Sequence, residues 1–339
     1  MRIRHAALVL AAPFLLIAAG CSDEPASEAS PITMTEQQPI ATRPLCVGRF
    51  LIDVPVDTTV TGTQTTSAGV SGTISLQTGV SKSAFNLKMA GIETRLRSAV
   101  HETEGSRLSE VVRRDETTYI FRYRKSEIGA RVYQIDGYRW VDSTMFAIVS
   151  GSSNDEFRSV VDDVTQGLFE VKPRDTWTIP TEPGFCFDAG FLPGGDGGFE
   201  ATGVQLEFPG FPNLLIAFST RANDGPPPEG AQLLTRTDAV LQGVDGSDRP
   251  TVLRREGTRP LGERTAQEVM WKWVKSGSVM LSGNLELYAS SHRLDAPEIS
   301  FELALDPPEK EGDANTDEQD ALLLWDTIIQ SLRLRPGAV

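Results

Sequence analysis

Two periods of hydrophobic residues divide this chain. Tyr119, Phe121 and Tyr123 alternate with Ile120, Arg122 and Arg124. Val269, Trp271 and Trp273 alternate with Met270 and Lys272, and Ile299, Phe301, Leu303 and Leu305 occupy every second position of another run. Period two predicts strands with one buried face. Val132–Val149 reads as further strands around turns at Gly137 and Asp142-Ser143, and Val279–Ser290 as one more. Between these runs the pattern becomes helical, over Ser83–His101, Asp155–Gly167, Pro228–Gly243 and Thr316–Ser331. In the last of these, Leu322, Leu324, Trp325, Ile328 and Ile329 share a face. Thr316 is its expected N-cap, with Asp317 and Glu318 suited to the positive end of the helix dipole.

The pattern occurs twice. Cys46-Val47-Gly48-Arg49-Phe50-Leu51 opens one half, and Cys186-Phe187-Asp188-Ala189-Gly190-Phe191-Leu192 opens the other. Phe169-Glu170-Val171-Lys172-Pro173 closes the first as Leu332-Arg333-Leu334-Arg335-Pro336 closes the second. Each half runs strands, helix, strands, helix, and its short turns favour antiparallel pairing. The fold class predicted is α+β, an internal duplication of two similar domains, each an antiparallel sheet packed with helices. The boundaries are 45–174 and 184–339, joined by a linker at 175–183, and each domain is expected to fold alone.

Ahead of the first half lies a different kind of sequence. Arg2 and Arg4 precede an apolar run, Ala6–Ala19, that ends in Ala18-Ala19-Gly20-Cys21. A basic start, a short apolar stretch and small residues before a cysteine resemble a bacterial lipoprotein signal over 1–20, with Cys21 as the lipid attachment site. The run is short of the roughly 20 apolar residues that span a bilayer. Ser22 is not the aspartate that retains lipoproteins at the inner membrane, so the expected place is the periplasmic side of the outer membrane. Residues 21–44 hold Ser, Pro, Glu, Gln and Thr and almost no large apolar side chain, which predicts a disordered tether.

The formal charge of −14 argues against nucleic acid as a partner and against docking on anionic lipid, leaving the lipid anchor as the only membrane contact. An oxidising compartment would allow Cys46 and Cys186 to bond. The alternative is two buried thiols on core strands. The arginines of the 119–125 run, with Arg113-Arg114 and Arg254-Arg255, read as a solvated sheet face. No metal-ligand spacing surrounds His101 or His292, and no nucleophile elbow or phosphate loop is present. Gly69-Val70-Ser71-Gly72 and Gly151-Ser152-Ser153-Asn154 read as turns. The sequence thus predicts no enzyme and no cofactor. Loops suit binding better: Pro193, Gly194 and Asp196 in the Gly-rich stretch 193–198, and Asp224, Pro226 and Pro227 in the Pro-rich stretch 224–230, are candidates to rim a partner site in a cleft between the domains.

Cys46-Val47-Gly48-Arg49-Phe50-Leu51-Ile52-Asp53-Val54-Pro55 resembles the opening of the type VI secretion immunity proteins that neutralise periplasmic lipases of the fourth group. Gly184-Phe185-Cys186-Phe187-Asp188-Ala189-Gly190-Phe191 resembles the start of their C-terminal domain. The resemblance implies a non-enzymatic protein that grips a secreted lipase or phospholipase effector between two α/β domains, blocking its site or holding its lid shut. It assigns no contact residue. A housekeeping lipoprotein of envelope assembly or ligand carriage is the second reading.

Overall fold

The structure, a computed structural model, describes residues 40–339 apart from 67–71, 103–104, 126–131, 154–156, 195–199, 223–224, 244–249, 251, 276–277, 291–292, 309 and 311–312. Cys21, the signal and most of the tether lie outside the described residues, as do Asp196, Asp224 and His292. Residues 40–339 form one compact unit.

The first half contains β1 (Thr42–Val47), β2 (Phe50–Pro55), β3 (Thr59–Thr66), β4 (Thr73–Gln77) and α1 (Lys82–Ser98). It continues with β5 (Val100–His101), β6 (Gly105–Ser106), β7 (Leu108–Arg113), β8 (Thr118–Arg124), β9 (Val132–Val141), β10 (Thr144–Ser153), α2 (Phe157–Glu170) and β11 (Lys172–Pro173). The second half contains β12 (Gly184–Phe187), β13 (Gly190–Pro193), β14 (Ala201–Glu207), β15 (Leu214–Arg221) and α3 (Leu233–Gly243). It ends with β16 (Val252–Leu261), β17 (Arg264–Lys275), β18 (Ser278–Leu287), β19 (Glu298–Leu305), α4 (Glu318–Gln330) and β20 (Arg333–Leu334).

Twelve strands form one antiparallel sheet in the order β16-β17-β18-β19-β15-β14-β3-β4-β10-β9-β8-β7. Read outward from the β14–β3 junction, the two sets of six follow the same order, which is the duplication expressed as topology. The halves are therefore similar, but their sheets are fused: β3 and β14 pair from Thr66↔Ala201 to Thr59↔Glu207. The expected cleft between domains is replaced at this point by a backbone ladder.

The opening hairpins are exchanged. β1 and β2 begin the first half, yet Leu45, Val47, Phe50, Ile52 and Val54 pack in the second half's core with Phe218, Phe301 and Trp325. β2 also pairs with β20 at the far end of the chain. β12 and β13 begin the second half, yet Phe185, Phe187 and Leu192 join Ile120, Ile148 and Val164 in the first half's core. β13 pairs with β11. Neither sequence half contains its whole core, which counts against the expectation that each folds alone.

These hairpins share one sheet face with α2 and α4. Trp325 of α4 donates to Glu268 at 2.6 Å, and Val160, Val161, Val164 and Leu168 of α2 pack on Ile120 and Phe146. α1 and α3 lie on the other face. Phe85, Met89, Ile92 and Leu96 of α1 cover Phe121 and Met145. Leu234 N of α3 donates to Gln267 Oε1 at 2.9 Å, and Leu233 N to the Tyr288 hydroxyl at 2.6 Å.

Local departures from expectation have local causes. Asp317, not Thr316, caps α4, its carboxylate accepting from Gln319 N at 2.7 Å. The Thr316 hydroxyl donates instead to the Pro212 carbonyl at 2.7 Å. Residues 151–153 continue β10 rather than turning. Arg122 is buried and stacks over Tyr133, 3.7 Å from its ring centroid, because α1 and α2 cover both faces here and leave no solvated side.

Candidate partner-binding surface

The two opening motifs meet. Cys46 and Cys186 form a disulfide, with Cα atoms 5.8 Å apart, joining the exchanged hairpins. Gly48 and Cys186 exchange two backbone hydrogen bonds of 2.8 Å across the same point. Gly48 has φ +61°, and a Cβ there would come within 2.5 Å of Thr220 Oγ1, so the turn requires glycine.

Beside this junction Arg49 is buried against Glu200, at 2.8 Å from Nε to Oε2 and 2.5 Å from Nη2 to Oε1. The same guanidinium donates to the carbonyls of Ala338 and Gly194. Arg335, fully buried, donates to the carbonyls of Pro180, Glu182 and Gly184, stitching the 175–183 segment to β12. Arg174 does the corresponding work after β11, donating to the carbonyls of Thr176, Thr178 and Asp188. Burial lowers its pKa to about 10, which leaves it charged at neutral pH. The five N–H donors of its planar fork make arginine suited to gathering carbonyls in this way. These residues build the scaffold, and the motifs that opened each half are structural.

The described ends of the two candidate loops lie on opposite faces of the sheet. Gly194 follows β13 on the face of α2 and α4, held by Arg49. Pro226 and Pro227 lead through a short turn at Glu229–Ala231 into α3 on the opposite face.

What the fold provides is an open sheet face between α1 and α3. There β19, β15, β14 and β4 expose Glu302, Ser219, Arg221, Gln205, Thr73, Ser75 and Gln77. Ala217, Ala304, Ser300 and Gly203 lie between them, so the surface is made largely of short side chains that admit close approach of another chain. Along β17 on this face, Trp271 and Trp273 stack with centroids 6.2 Å apart, both part-exposed. Sequence reasoning assigned these tryptophans only to a strand; two indoles two residues apart were the available signal for a surface aromatic ladder. A separate cleft of about 490 Å³ between α1 and β7 is lined by Glu93, Arg97 and Arg113. Hydrogen bonds from Arg113 and Arg97 hold the Glu93 carboxyl below its usual pKa.

Among the described residues no three His, Cys, Asp or Glu side chains are grouped to hold a metal. His101 is buried on β5. No described helix is long and apolar enough to cross a membrane.

The molecule is a duplicated scaffold riveted at its centre by the Cys46–Cys186 disulfide, with a broad open sheet face. The N-terminal domain model of Tle cognate immunity protein 4 matches residues 43–168 and the C-terminal domain model matches 178–337. The chain belongs to this immunity-protein family. The fold is similar to that in the crystal structure of the Tle4–Tli4 complex, at TM-score 0.76 and 23% identity over 87% of this chain and 98% of that chain. It is also similar to the apo immunity protein TplEi of the type VI secretion system of Pseudomonas aeruginosa, at TM-score 0.74 and 23% identity over 87% and 97%. No curated protein sequence matches the chain.

Proposed function

We propose that the chain binds and inhibits a type VI secreted antibacterial lipase in the periplasm, where lipid on Cys21 tethers it to the outer membrane. The observation that carries the reading is the match of both immunity-domain models, in chain order, to the two halves of one fused scaffold. The solved structure with the similar Tle4–Tli4 fold is that of a complex, in keeping with a partner-binding role. The role is blocking rather than catalysis. The open face between α1 and α3 supplies the area, and neutralising a membrane-degrading enzyme calls for slow release, so a Kd near nanomolar, about −12 kcal/mol, is expected. The N-terminal pattern Ala18-Ala19-Gly20-Cys21 supports the anchor.

The test is inhibition of a type VI secreted lipase, beginning with any that is encoded beside this chain's gene. At equimolar ratio the purified protein should abolish phospholipid hydrolysis and co-elute with the enzyme as a one-to-one complex. Undiminished hydrolysis would overturn the reading. For the anchor, Cys21→Ala should lose incorporation of a tagged fatty acid, and equal labelling of variant and wild type would remove the lipoprotein assignment.

A further inference from the structure

The two outer strands of the twelve-stranded sheet, β16 and β7, are finished differently. β16 carries Pro260, holds Arg255 at φ +50° and breaks register between Arg254 and Gly257. Proline and a bulge are devices that keep a sheet edge from pairing further. β7 has a register break of its own between Leu108 and Glu110, but beyond it Glu110–Arg113 pair regularly with Arg122–Tyr119 of β8. Arg114 N donates to the Thr118 carbonyl at 3.1 Å, so positions 110, 112 and 114 turn their backbone groups inward to β8. Val111 and Arg113 therefore present N–H and C=O outward, past the last strand of the sheet. Ser109, Glu110, Arg113 and Arg114 are exposed, and the cleft of about 490 Å³ between β7 and α1 leaves room beside this edge.

We propose that β7 is a self-association edge: the β7 strands of two copies pair antiparallel about a twofold axis at Val112 and join the two sheets. The strand's own sequence selects the partner and the register. Residues opposed across an antiparallel pair both face outward or both inward, so within the regular stretch the axis can pass at Val111, Val112 or Arg113. At Arg113 it would set two guanidinium groups against each other. At Val111 it would set Glu110 against Val112 and leave the carboxylate unmatched. At Val112, Val111 of each copy exchanges two backbone hydrogen bonds with Arg113 of the other, and each Glu110 lies opposite the other copy's Arg114. Glu110, Val112 and Arg114 share one sheet face, so a Val112–Val112 contact is flanked by two Glu–Arg pairs. Within one copy Glu110 makes no hydrogen bond or ion pair with a described residue, and Arg114 reaches the exposed Asp162 at 3.2 Å. The overall charge of −14 repels copies elsewhere, whereas this stretch sets Arg113 and Arg114 against a single glutamate.

The experiment uses the full chain carrying Cys21→Ser, which keeps lipid from adding contacts of its own, in sedimentation velocity from about 1 to 300 μM. This protein should pass from monomer to dimer within that range. Glu110→Arg sets arginine against arginine twice, Arg114→Glu sets glutamate against glutamate twice, and each should weaken association about tenfold or more. Mixed in equal amounts, the two variants oppose unlike charges at both places and should form a heterodimer about as strong as the parent dimer. Val112→Cys should cross-link into a covalent dimer on mild oxidation, because a facing pair without mutual hydrogen bonds brings its Cα atoms to about 4.5 Å, and Ser109→Cys should not. A parent protein that stays monomeric throughout the range overturns the proposal. So does a dimer that survives both single substitutions, which assigns the contact to another surface, or a pair of folded single variants that fail to associate with each other. Should either variant prove unfolded by circular dichroism, the cross-link decides, and cross-linking no faster at 112 than at 109 overturns the proposal.

Discussion

Residues 178–339 expressed alone should not fold, although they match a complete domain model and contain all six strands of their sheet half. The fragment lacks β1 and β2, so five side chains, Leu45, Val47, Phe50, Ile52 and Val54, leave the core around Trp325. At about 1.5–3 kcal/mol for each buried side chain, the loss is roughly 7–15 kcal/mol. That equals the full stability of an ordinary domain, about 5–15 kcal/mol. Glu200 would also remain buried without Arg49, adding several kcal/mol more. The assay is urea unfolding followed by near-ultraviolet circular dichroism. The fragment should show no cooperative transition, and appending residues 40–57 through a flexible linker should restore one. A cooperative transition in the unaided fragment, within about 2 kcal/mol of the full chain, would refute the packing argument.

Three further outcomes follow from the centre of the molecule and from β9. Replacing Cys46 and Cys186 by alanine opens a loop with ends 140 residues apart, and loop entropy sets an upper bound of about 5 kcal/mol on the loss, read as a fall in urea midpoint. Arg49→Met leaves a buried carboxylate unpaired and should cost about 3–5 kcal/mol in the same assay, whereas Arg49→Met with Glu200→Leu should recover much of it. Burial raises the Asp136 carboxyl above its ordinary pKa, against hydrogen bonds from Tyr123 and Gln134 that favour its charge. A raised folded-state value means stability is lost as pH rises through it, so Asp136→Asn should melt higher than wild type at pH 7, with the difference vanishing below about 3.9.

The elements were legible where one physical cause dominated. The apolar face of α4 could be read directly because Leu324, Trp325, Ile328 and Ile329 all turn to one core. The duplication was legible because both openings and both endings keep their strand patterns. Which hairpin packs on which half was not, since period two states that a strand has a buried face and says nothing about what covers it. Arg49 and Arg335 were invisible for a related reason: a lone charge predicts exposure, and only the carbonyls and carboxylate gathered from distant segments make burial tolerable. The solvated reading of Arg122 overlooked Ile120 on the same side of β8, the one residue announcing that this face too is covered.

The hairpin exchange also bears on timing. β2 finds its partner in β20, and Asp53 bonds Arg333 across a separation of 280 residues. The first hairpin, β1 with β2, thus cannot reach its core until the second half has been made, and contacts so distant along the chain make for slow folding. A chain built this way completes its two cores only after its last strands are made, later than one whose domains close in turn.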